Sequence, residues 1–369
     1  MKGHPISKRR YSGLLVLCAI GLFLYALITR SVLSKHVEIH RSNKPSFRHY
    51  GRKRSCQRGI WTTSTSSSRW RSDPDCNYHH FDVSSTLSCL SRYKRILIVG
   101  DSVQRGLFWN MIGLLKGIEM GDEVPSNVRY RMVDNLAGVE KSFTNVQDQE
   151  FIVTKDNNLM FSVRFVYAAH VTDFSGRCEA VSAWFFQCPE PLDSVLIRVL
   201  SEARERKNIH YDALYVNVGM WDWRTGVSVR MFERNTLGAL KGKAKEYFSE
   251  IPKRIWRDTT AAYPSKFAWP KECKHSKIRD DSRPCNIHTD GIFNYNQATN
   301  SHWQAAGFEL LDGWTVTATR PDLTTDGIHY EVGSKEKAKS YNYTWASTDT
   351  LYNPMYRVMN NMFFSLLCG

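Results

Sequence analysis

The hydrophobic positions of this chain follow two alternating periods. Residues 96–99 form an unbroken aliphatic run, so residues 95–99 are predicted to form a buried strand, and the amphipathic residues 104–115 predict a helix directly after it. Residues 159–167 alternate between apolar and polar side chains, which is typical of a further strand. Similar patterns predict strands over residues 213–218 and 254–259, and helices over residues 192–204, 231–248, 297–311 and 355–367. Strands that alternate with helices predict an α/β fold with a central parallel sheet, covered on both faces.

Two segments interrupt these patterns. Residues 64–68 are a serine-rich, low-complexity stretch that predicts a loop. Residues 263–291 are polar and contain proline, which predicts a long ordered loop over the sheet.

The N-terminus carries the longest apolar run. Residues 13–28 contain no charge, follow a basic cluster at residues 8–10 and, with Thr29, could cross a thin bilayer as a helix. A cleaved signal peptide is the alternative, although no small-x-small cleavage site follows the run. We therefore predict a cytoplasmic tail at residues 1–12, a transmembrane signal anchor at residues 13–29, a basic stem at residues 30–55, and a lumenal catalytic domain at residues 56–369.

The net charge of +14 lies almost entirely in this N-terminal part. Residues 1–60 hold 13 lysines and arginines and one acid, Glu38, so the remainder of the chain is nearly neutral. No RNA- or DNA-binding motif accompanies the basic residues, and we therefore expect no nucleic-acid partner.

Cysteine usage favours an oxidising compartment. Eight of the nine cysteines lie outside the apolar run, and this even number suits disulfide formation in the secretory pathway. Cys178 with Cys188, and Cys273 with Cys285, are plausible local pairs, and the others could staple the N-terminal segment to Cys368. Asn342 begins an N-glycosylation sequon. Together these features predict a disulfide-stapled, single-pass type II glycoprotein of the Golgi membrane.

The strongest chemical signal follows the first predicted strand. Gly100, Asp101 and Ser102 place a serine at the carboxyl end of a buried strand and at the start of a helix, where open α/β sheets bind ligands. Helix-terminal amides can stabilise the negative charge that forms on an attacked carbonyl. The alternative is that Ser102 only caps the helix.

Asp326 and His329 could complete the site near the end of the chain. A serine needs a base to become a nucleophile, and the base needs a carboxylate to orient it. The three-residue separation of Asp326 and His329 lets one loop supply both groups, although both could also be ordinary loop residues. A catalytic triad of Ser102, His329 and Asp326 would make this a serine acyl-transfer enzyme.

Three further residues are candidates for oxyanion or substrate binding. Asn217 and Gly219 follow another aliphatic strand and reach the same edge of the sheet, where a side-chain amide and a close backbone approach could serve the oxyanion. Arg105 lies one helical turn after Ser102 and could direct its guanidinium at the site. Asn217 could instead satisfy the backbone, and Arg105 could form a structural ion pair. No metal-ligand spacing and no sign of a bound cofactor is present in the sequence.

Several motifs together resemble the PC-esterase branch of the SGNH/GDSL hydrolases. That branch includes plant trichome-birefringence-like polysaccharide O-acetyltransferases and the catalytic domain of sialic-acid O-acetyltransferase. The resemblance spans residues 56–329, with short motifs in the family's order. These are residues 56–61, 70–81, 100–105 (Gly-Asp-Ser-x-x-Arg), 217–221, 257–260 and 326–329 (Asp-x-x-His).

The resemblance implies a flavodoxin-like α/β/α fold and a glycan O-acetyltransferase that works through an acetyl-serine at Ser102. His329 would be the base and Asp326 would orient it. An acetyl donor, either acetyl-CoA or an acetylated carrier, is implied as co-substrate, together with a separate transporter for that donor. The sequence departs from the plant enzymes after His329, where Tyr330 and Glu331 replace their Trp-Cys, and this leaves the glycan undefined.

Two rival functions stay open at this stage. A lumenal carbohydrate acetylesterase would use the same triad with water as the acceptor. A catalytically silent glycan-binding protein would keep only the fold. The intact Ser102, Asp326 and His329 argue against the silent protein, and nothing in the sequence separates the transferase from the esterase.

Overall fold

The computed structural model describes most of the region after residue 58. The described residues are 59–64, 67–72, 78–118, 123–135, 148–171, 190–224, 227–263, 289–324, 327–330 and 354–369. The predicted tail, membrane anchor and stem, the sequon at Asn342 and most of the predicted loop at residues 263–291 lie outside them. No helix within these ranges combines the length and apolar character that a membrane span requires.

Within the described ranges, nine strands build two sheets. Strands β1 and β2 form an antiparallel hairpin, and the other seven form one sheet in the order β4-β5-β6-β3-β7-β8-β9. The strands are β1 (Gly59–Ser64), β2 (Ser67–Ser72), β3 (Arg95–Gly100), β4 (Val128–Asp134), β5 (Asp148–Lys155), β6 (Asn158–Tyr167), β7 (Ala213–Asn217), β8 (Lys253–Arg257) and β9 (Glu309–Leu311). The fold is therefore mixed α/β with a central, mostly parallel sheet.

The predicted central parallel sheet is present and has an antiparallel edge. Strands β6, β3, β7, β8 and β9 run parallel, whereas β5 is antiparallel to both β4 and β6. Asp156 and Asn157 connect β5 to β6 with φ values of 49° and 65°. Two successive residues at positive φ form the type of tight turn that reverses a strand, so this connection dictates a hairpin.

Helices cover both faces of the large sheet. They are α1 (Val83–Leu90), α2 (Ser102–Leu115), α3 (Leu192–Ser201), α4 (Met220–Arg224), α5 (Val229–Lys241), α6 (Ala244–Phe248), α7 (Thr289–Ala305), α8 (Gly313–Thr317) and α9 (Pro354–Cys368). On one face, Phe108 of α2 stacks on Phe165 of β6, with ring centroids 5.5 Å apart. On the other face, Trp303 of α7 stacks on Trp256 of β8 at 4.0 Å.

Two predicted helices differ in their bounds from the expectation. The helix predicted over residues 231–248 divides at Gly242, whose extended backbone ends α5 before α6 begins. The helix predicted over residues 297–311 ends at Ala305. Gly307 follows with φ +85°, a left-handed conformation that commonly terminates helices, and the chain then enters β9.

The serine-rich segment at residues 64–68 is not wholly a loop. It joins β1 to β2, and both strands extend into it. The hairpin lies against the C-terminal part of the domain, because Trp61 Nε1 donates to the Val316 carbonyl at 3.0 Å and the Arg320 guanidinium lies 4.6 Å from the Trp61 ring centroid.

The C-terminal helix α9 packs beside the serine helix α2. Asn360 donates to the Leu107 carbonyl and to Asn110 Oδ1 at 3.0 and 2.9 Å. A disulfide joins Cys89, in the last turn of α1, to Cys368 at the end of α9. The two predicted local cysteine pairs lie outside the described residues.

Candidate active site

Ser102 follows the carboxyl end of β3, and β3 is the central strand of the large sheet. Asp101 caps α2, since its Oδ1 accepts the amides of Val103 at 2.9 Å and Gln104 at 3.3 Å. Ser102 is the first helical residue and is 8% exposed. A Cβ at position 100 would meet the Asn217 carbonyl and lie 2.6 Å from the Gln104 Cβ, so only glycine fits this turn. The strand-to-helix junction thereby fixes the direction of the serine side chain.

His329 meets Ser102 from a loop 227 residues away. His329 Nε2 lies 2.6 Å from Ser102 Oγ, within hydrogen-bonding distance. A neutral imidazole with Nε2 unprotonated accepts the hydroxyl proton here, which is the first requirement for a serine nucleophile. Asp326, the predicted third member, lies outside the described residues, and its role stays a prediction.

Backbone hydrogen bonds hold the loop that carries His329. The Gly327 amide donates to Thr324 Oγ1 at 2.9 Å, and the Gly327 carbonyl accepts the Tyr263 amide at 2.7 Å. The hydroxyl of the buried Tyr330 donates to the Ala261 carbonyl at 2.7 Å. These bonds tie the loop to the segment that follows β8, so the histidine is positioned by the sheet itself.

Tyr356 of α9 links the histidine loop to the serine helix. Its hydroxyl accepts the amide of Tyr330, the residue after His329, at 3.4 Å. Its ring lies directly against Gly106 of α2, one turn beyond Ser102. One aromatic side chain therefore touches the elements that carry both members of the Ser–His pair. The sequence did not single out Tyr356, because its partners are distant in the chain.

Asn217 and Gly219 lie where the sequence predicts, at the carboxyl end of β7. Asn217 is the register partner of Gly100, so it borders the serine strand. Its side chain is engaged with Arg257: Nδ2 donates to the Arg257 carbonyl at 2.9 Å, and Oδ1 accepts the Arg257 guanidinium. Gly219 has φ +122°, and a Cβ there would lie 2.6 Å from Thr259 Oγ1. Only glycine fits this backbone conformation without a clash, so the Gly219 backbone can lie close to Thr259.

Arg257 is a buried cation beneath the site that sequence reasoning did not assign. It is 0% exposed, and its Nε donates to Gln104 Oε1 at 3.0 Å. It thus connects β8 with β7 and with the first turn of the serine helix.

Burial raises the pKa of Asp101, and the Arg257 charge partly offsets that rise. Burial, followed by the charge of Asp312, raises the pKa of Asp258 to about 8.

His170 and Asp222 form a buried His–Asp pair. His170 Nδ1 is 3.9 Å from Asp222 Oδ1, and Asp222 Oδ2 accepts the Val171 amide at 2.9 Å. Burial lowers the pKa of His170 to about 3, so this imidazole is neutral at physiological pH. The pair ties the segment after β6 to α4.

Arg105 lies in α2, three residues after Ser102 and on the same side of the helix. Among the described residues it forms no ion pair, and its Nη1 is buried without a hydrogen-bond partner. The structural ion pair that was the alternative role for Arg105 is therefore not observed in the described part of the chain. The described ranges also contain no group of three His, Cys, Asp or Glu residues placed to hold a metal ion.

No protein-family model matches this sequence. No curated protein matches it either. Solved structures with a similar arrangement include a GDSL-like lipase from Parabacteroides merdae, at 11% identity and a TM-score of 0.37, covering 74% of this chain and 95% of the lipase. An acetyl-xylooligosaccharide esterase from Geobacillus has 9% identity and a TM-score of 0.34, over 74% of this chain and 94% of the esterase.

A peptidoglycan O-acetylesterase also has 9% identity and a TM-score of 0.34, with 77% of this chain and 93% of that chain covered. The chain is thus similar in structure, at low identity, to a GDSL-like lipase and to acetylesterases. These similarities do not reach the finer level of the PC-esterase branch.

Proposed function

We propose that this protein is a serine-dependent O-acetyl transfer enzyme that moves acetyl groups to glycan hydroxyls through an acetyl-Ser102 intermediate. The observation that carries the proposal is the 2.6 Å contact between Ser102 Oγ and His329 Nε2 at the carboxyl edge of the sheet. A hydroxyl so close to an imidazole can lose its proton as it attacks a carbonyl carbon.

The reaction proceeds in two balanced halves. Ser102 Oγ attacks the acetyl carbonyl of the donor while its proton passes to His329 Nε2. The tetrahedral intermediate then collapses, and the imidazolium gives that proton to the leaving group. The acceptor hydroxyl next loses its proton to His329 and attacks the acetyl-serine, which releases the acetylated acceptor and restores the Ser102 hydroxyl.

The remaining residues take supporting roles in this proposal. Asp326 orients the imidazole and stabilises its protonated form, and Asn217 and Gly219 border the developing oxyanion from the β7 side. Asn217 has a second amide hydrogen beyond the one that Arg257 accepts, so its donor capacity is not exhausted. We further propose a Golgi membrane location through residues 13–29, with acetyl-CoA or an acetylated carrier as the donor supplied by a separate transporter.

One experiment tests this proposal and separates it from its nearest rival. The full-length protein in detergent is incubated with an isotopically labelled acetyl ester, with and without oligosaccharide acceptors. Label in the oligosaccharide supports the transferase, and labelled acetate alone assigns water as the acceptor and makes the protein an acetylesterase. The proposal is wrong if the wild type neither acetylates the oligosaccharide nor releases acetate. It is also wrong if the Ser102→Ala variant retains either activity.

A further inference from the structure

The serine strand has a different neighbour on each side. Gly100 of β3 is paired with Asn217 of β7 on one side and with Tyr167 of β6 on the other. The oxyanion candidates Asn217 and Gly219 belong to the β7 side. Tyr167 therefore brings a side chain to the opposite side of Ser102, where no role has been assigned.

Tyr167 and Arg105 together present two buried hydrogen-bond donors without acceptors. Tyr167 is 5% exposed, and neither its hydroxyl proton nor Arg105 Nη1 has an acceptor among the described residues. Tyr167 pairs with Gly100, and Arg105 lies in the first turn of the helix that follows Gly100, so both residues lie next to Ser102 in the fold. The Arg105 charge acts on the Tyr167 hydroxyl. A buried donor without an acceptor destabilises a protein, so two together indicate a place where an acceptor binds.

The electrostatics of this donor pair favour an anionic acceptor. Burial raises the pKa of Tyr167 well above its ordinary value, so its hydroxyl stays protonated and can donate. The Trp221 indole approaches the same hydroxyl, but an indole N–H can only donate and leaves the tyrosine proton available. A second cation, Arg224, lies over the Trp221 ring at 4.7 Å. The nearby carboxyl of Asp101 has its Oδ1 committed to the amides of α2, while its Oδ2 is buried without a hydrogen-bond partner among the described residues. Burial raises the pKa of this carboxyl, which favours its neutral form and limits its repulsion of an anion.

We propose that Arg105 and Tyr167 bind a carboxylate of the substrate, so that the acetyl acceptor is an acidic sugar. This inference rests on the proposed function and deepens it by naming the substrate class. A guanidinium and a phenol hydroxyl give charge-assisted hydrogen bonds to the two oxygens of a carboxylate.

The test measures binding without turnover, in full-length protein that carries Ser102→Ala. The ligands are the methyl glycosides of glucuronic, galacturonic and N-acetylneuraminic acid, each compared with its own neutral carboxamide by isothermal titration calorimetry. At least one carboxylate should bind about tenfold or more tightly than its carboxamide, because charge-assisted hydrogen bonds contribute about 1.5–3 kcal/mol.

Variants assign that preference to the two donors. Arg105→Gln should abolish the preference for the carboxylate, Arg105→Lys should keep part of it, and Tyr167→Phe should reduce it about three- to tenfold. Arg230→Gln, which removes an exposed arginine of α5, is the charge-matched control and should leave the preference intact. Urea midpoints equal to that of the Ser102→Ala protein verify that each variant is folded.

Two results would overturn the proposal: all three carboxylates bind no better than their carboxamides, or the preference survives Arg105→Gln. Failure of the proposed function is a separate outcome. It would appear as wild-type protein that transfers no acetyl group and releases no acetate, while the binding comparison stays interpretable because it requires no turnover.

Discussion

Replacement of Gly106 by alanine should damage both the fold and the site. A Cβ at this position would lie 2.5 Å from Oη and 2.7 Å from Cε2 of Tyr356. Ordinary carbon contacts are about 3.5–4.0 Å, so the ring must move by about 1 Å. Tyr356 is 1% exposed, and its hydroxyl accepts the amide of Tyr330, the residue after His329. A shift of this ring therefore disturbs the packing of α9 on α2 and the position of the His329 imidazole.

The expected magnitude follows from two opposing effects. Overpacking a well-packed core costs about 1–3 kcal/mol. Alanine in place of glycine inside a helix recovers about 1 kcal/mol. Because the clash is with a buried ring, we expect a net loss of about 2 kcal/mol in the free energy of unfolding. Misplacement of His329 by a fraction of an ångström should lower kcat/KM about 10- to 100-fold.

Urea denaturation and hydrolysis of a chromogenic acetyl ester measure these two effects. Gly238→Ala in α5 is the matched control, because a Cβ at this helical position has nothing within 4 Å. It should stabilise the protein by up to about 1 kcal/mol and leave the activity unchanged. Tyr356→Leu should relieve part of the stability loss of Gly106→Ala. If Gly106→Ala, like Gly238→Ala, lowers neither the stability nor the ester hydrolysis, α9 does not position His329.

Three further predictions concern other parts of the domain. Replacement of both Cys89 and Cys368 by serine should lower the stability by up to about 5 kcal/mol, measured as a fall in Tm, because the disulfide closes a sequence separation of 279 residues; an unchanged Tm would contradict this. In the wild type, the native Asp258 carboxyl keeps its proton up to a pKa of about 8, whereas the same carboxyl in the unfolded chain loses its proton near pH 4. The wild type therefore loses stability as the pH rises from 4 to 8. The Asp258→Asn variant has no such proton, so its stability relative to the wild type should rise by about 1 kcal/mol per pH unit over this range. Urea midpoints across that pH range check this, and a pH-independent difference would show that Asp258 ionises normally. Gly219→Ala should lower ester hydrolysis at least about tenfold, because the residue has φ +122° and its new Cβ would meet Thr259 Oγ1; activity equal to the wild type would separate Gly219 from the site.

The amino-acid pattern predicts the centre of the fold well and its edges poorly. The strand before Ser102 and the helix after it have strong periodicities, and both are present. Strands β4 and β5 were not predicted, although the Asp156–Asn157 pair before β6 is a recognisable turn signal. The β1–β2 hairpin was also missed, because its serines and threonines resemble a loop when their pairing partner is unknown.

The site divides in the same way. Ser102 and His329 belong to short motifs whose chemistry requires a partner, so sequence reasoning could pair them across 227 residues. Tyr167 and Tyr356 belong to no motif, and Arg257 begins the motif at residues 257–260 but has no predicted role. Their importance comes from tertiary contacts: strand order places Tyr167 beside the serine, and burial makes Arg257 a cation that must be hydrogen-bonded. Such residues are visible only once the sheet is assembled.

The most direct test of the account is to trap the acyl-enzyme. Full-length protein is mixed with p-nitrophenyl acetate, quenched in acid after one turnover, digested and analysed by peptide mass spectrometry. We predict the mass of one acetyl group on Ser102 in the wild type, and its loss in both Ser102→Ala and His329→Ala. Acetylation at another residue, or acetylation of Ser102 at an unchanged rate in His329→Ala, would contradict the claim that these two side chains form the nucleophile and its base.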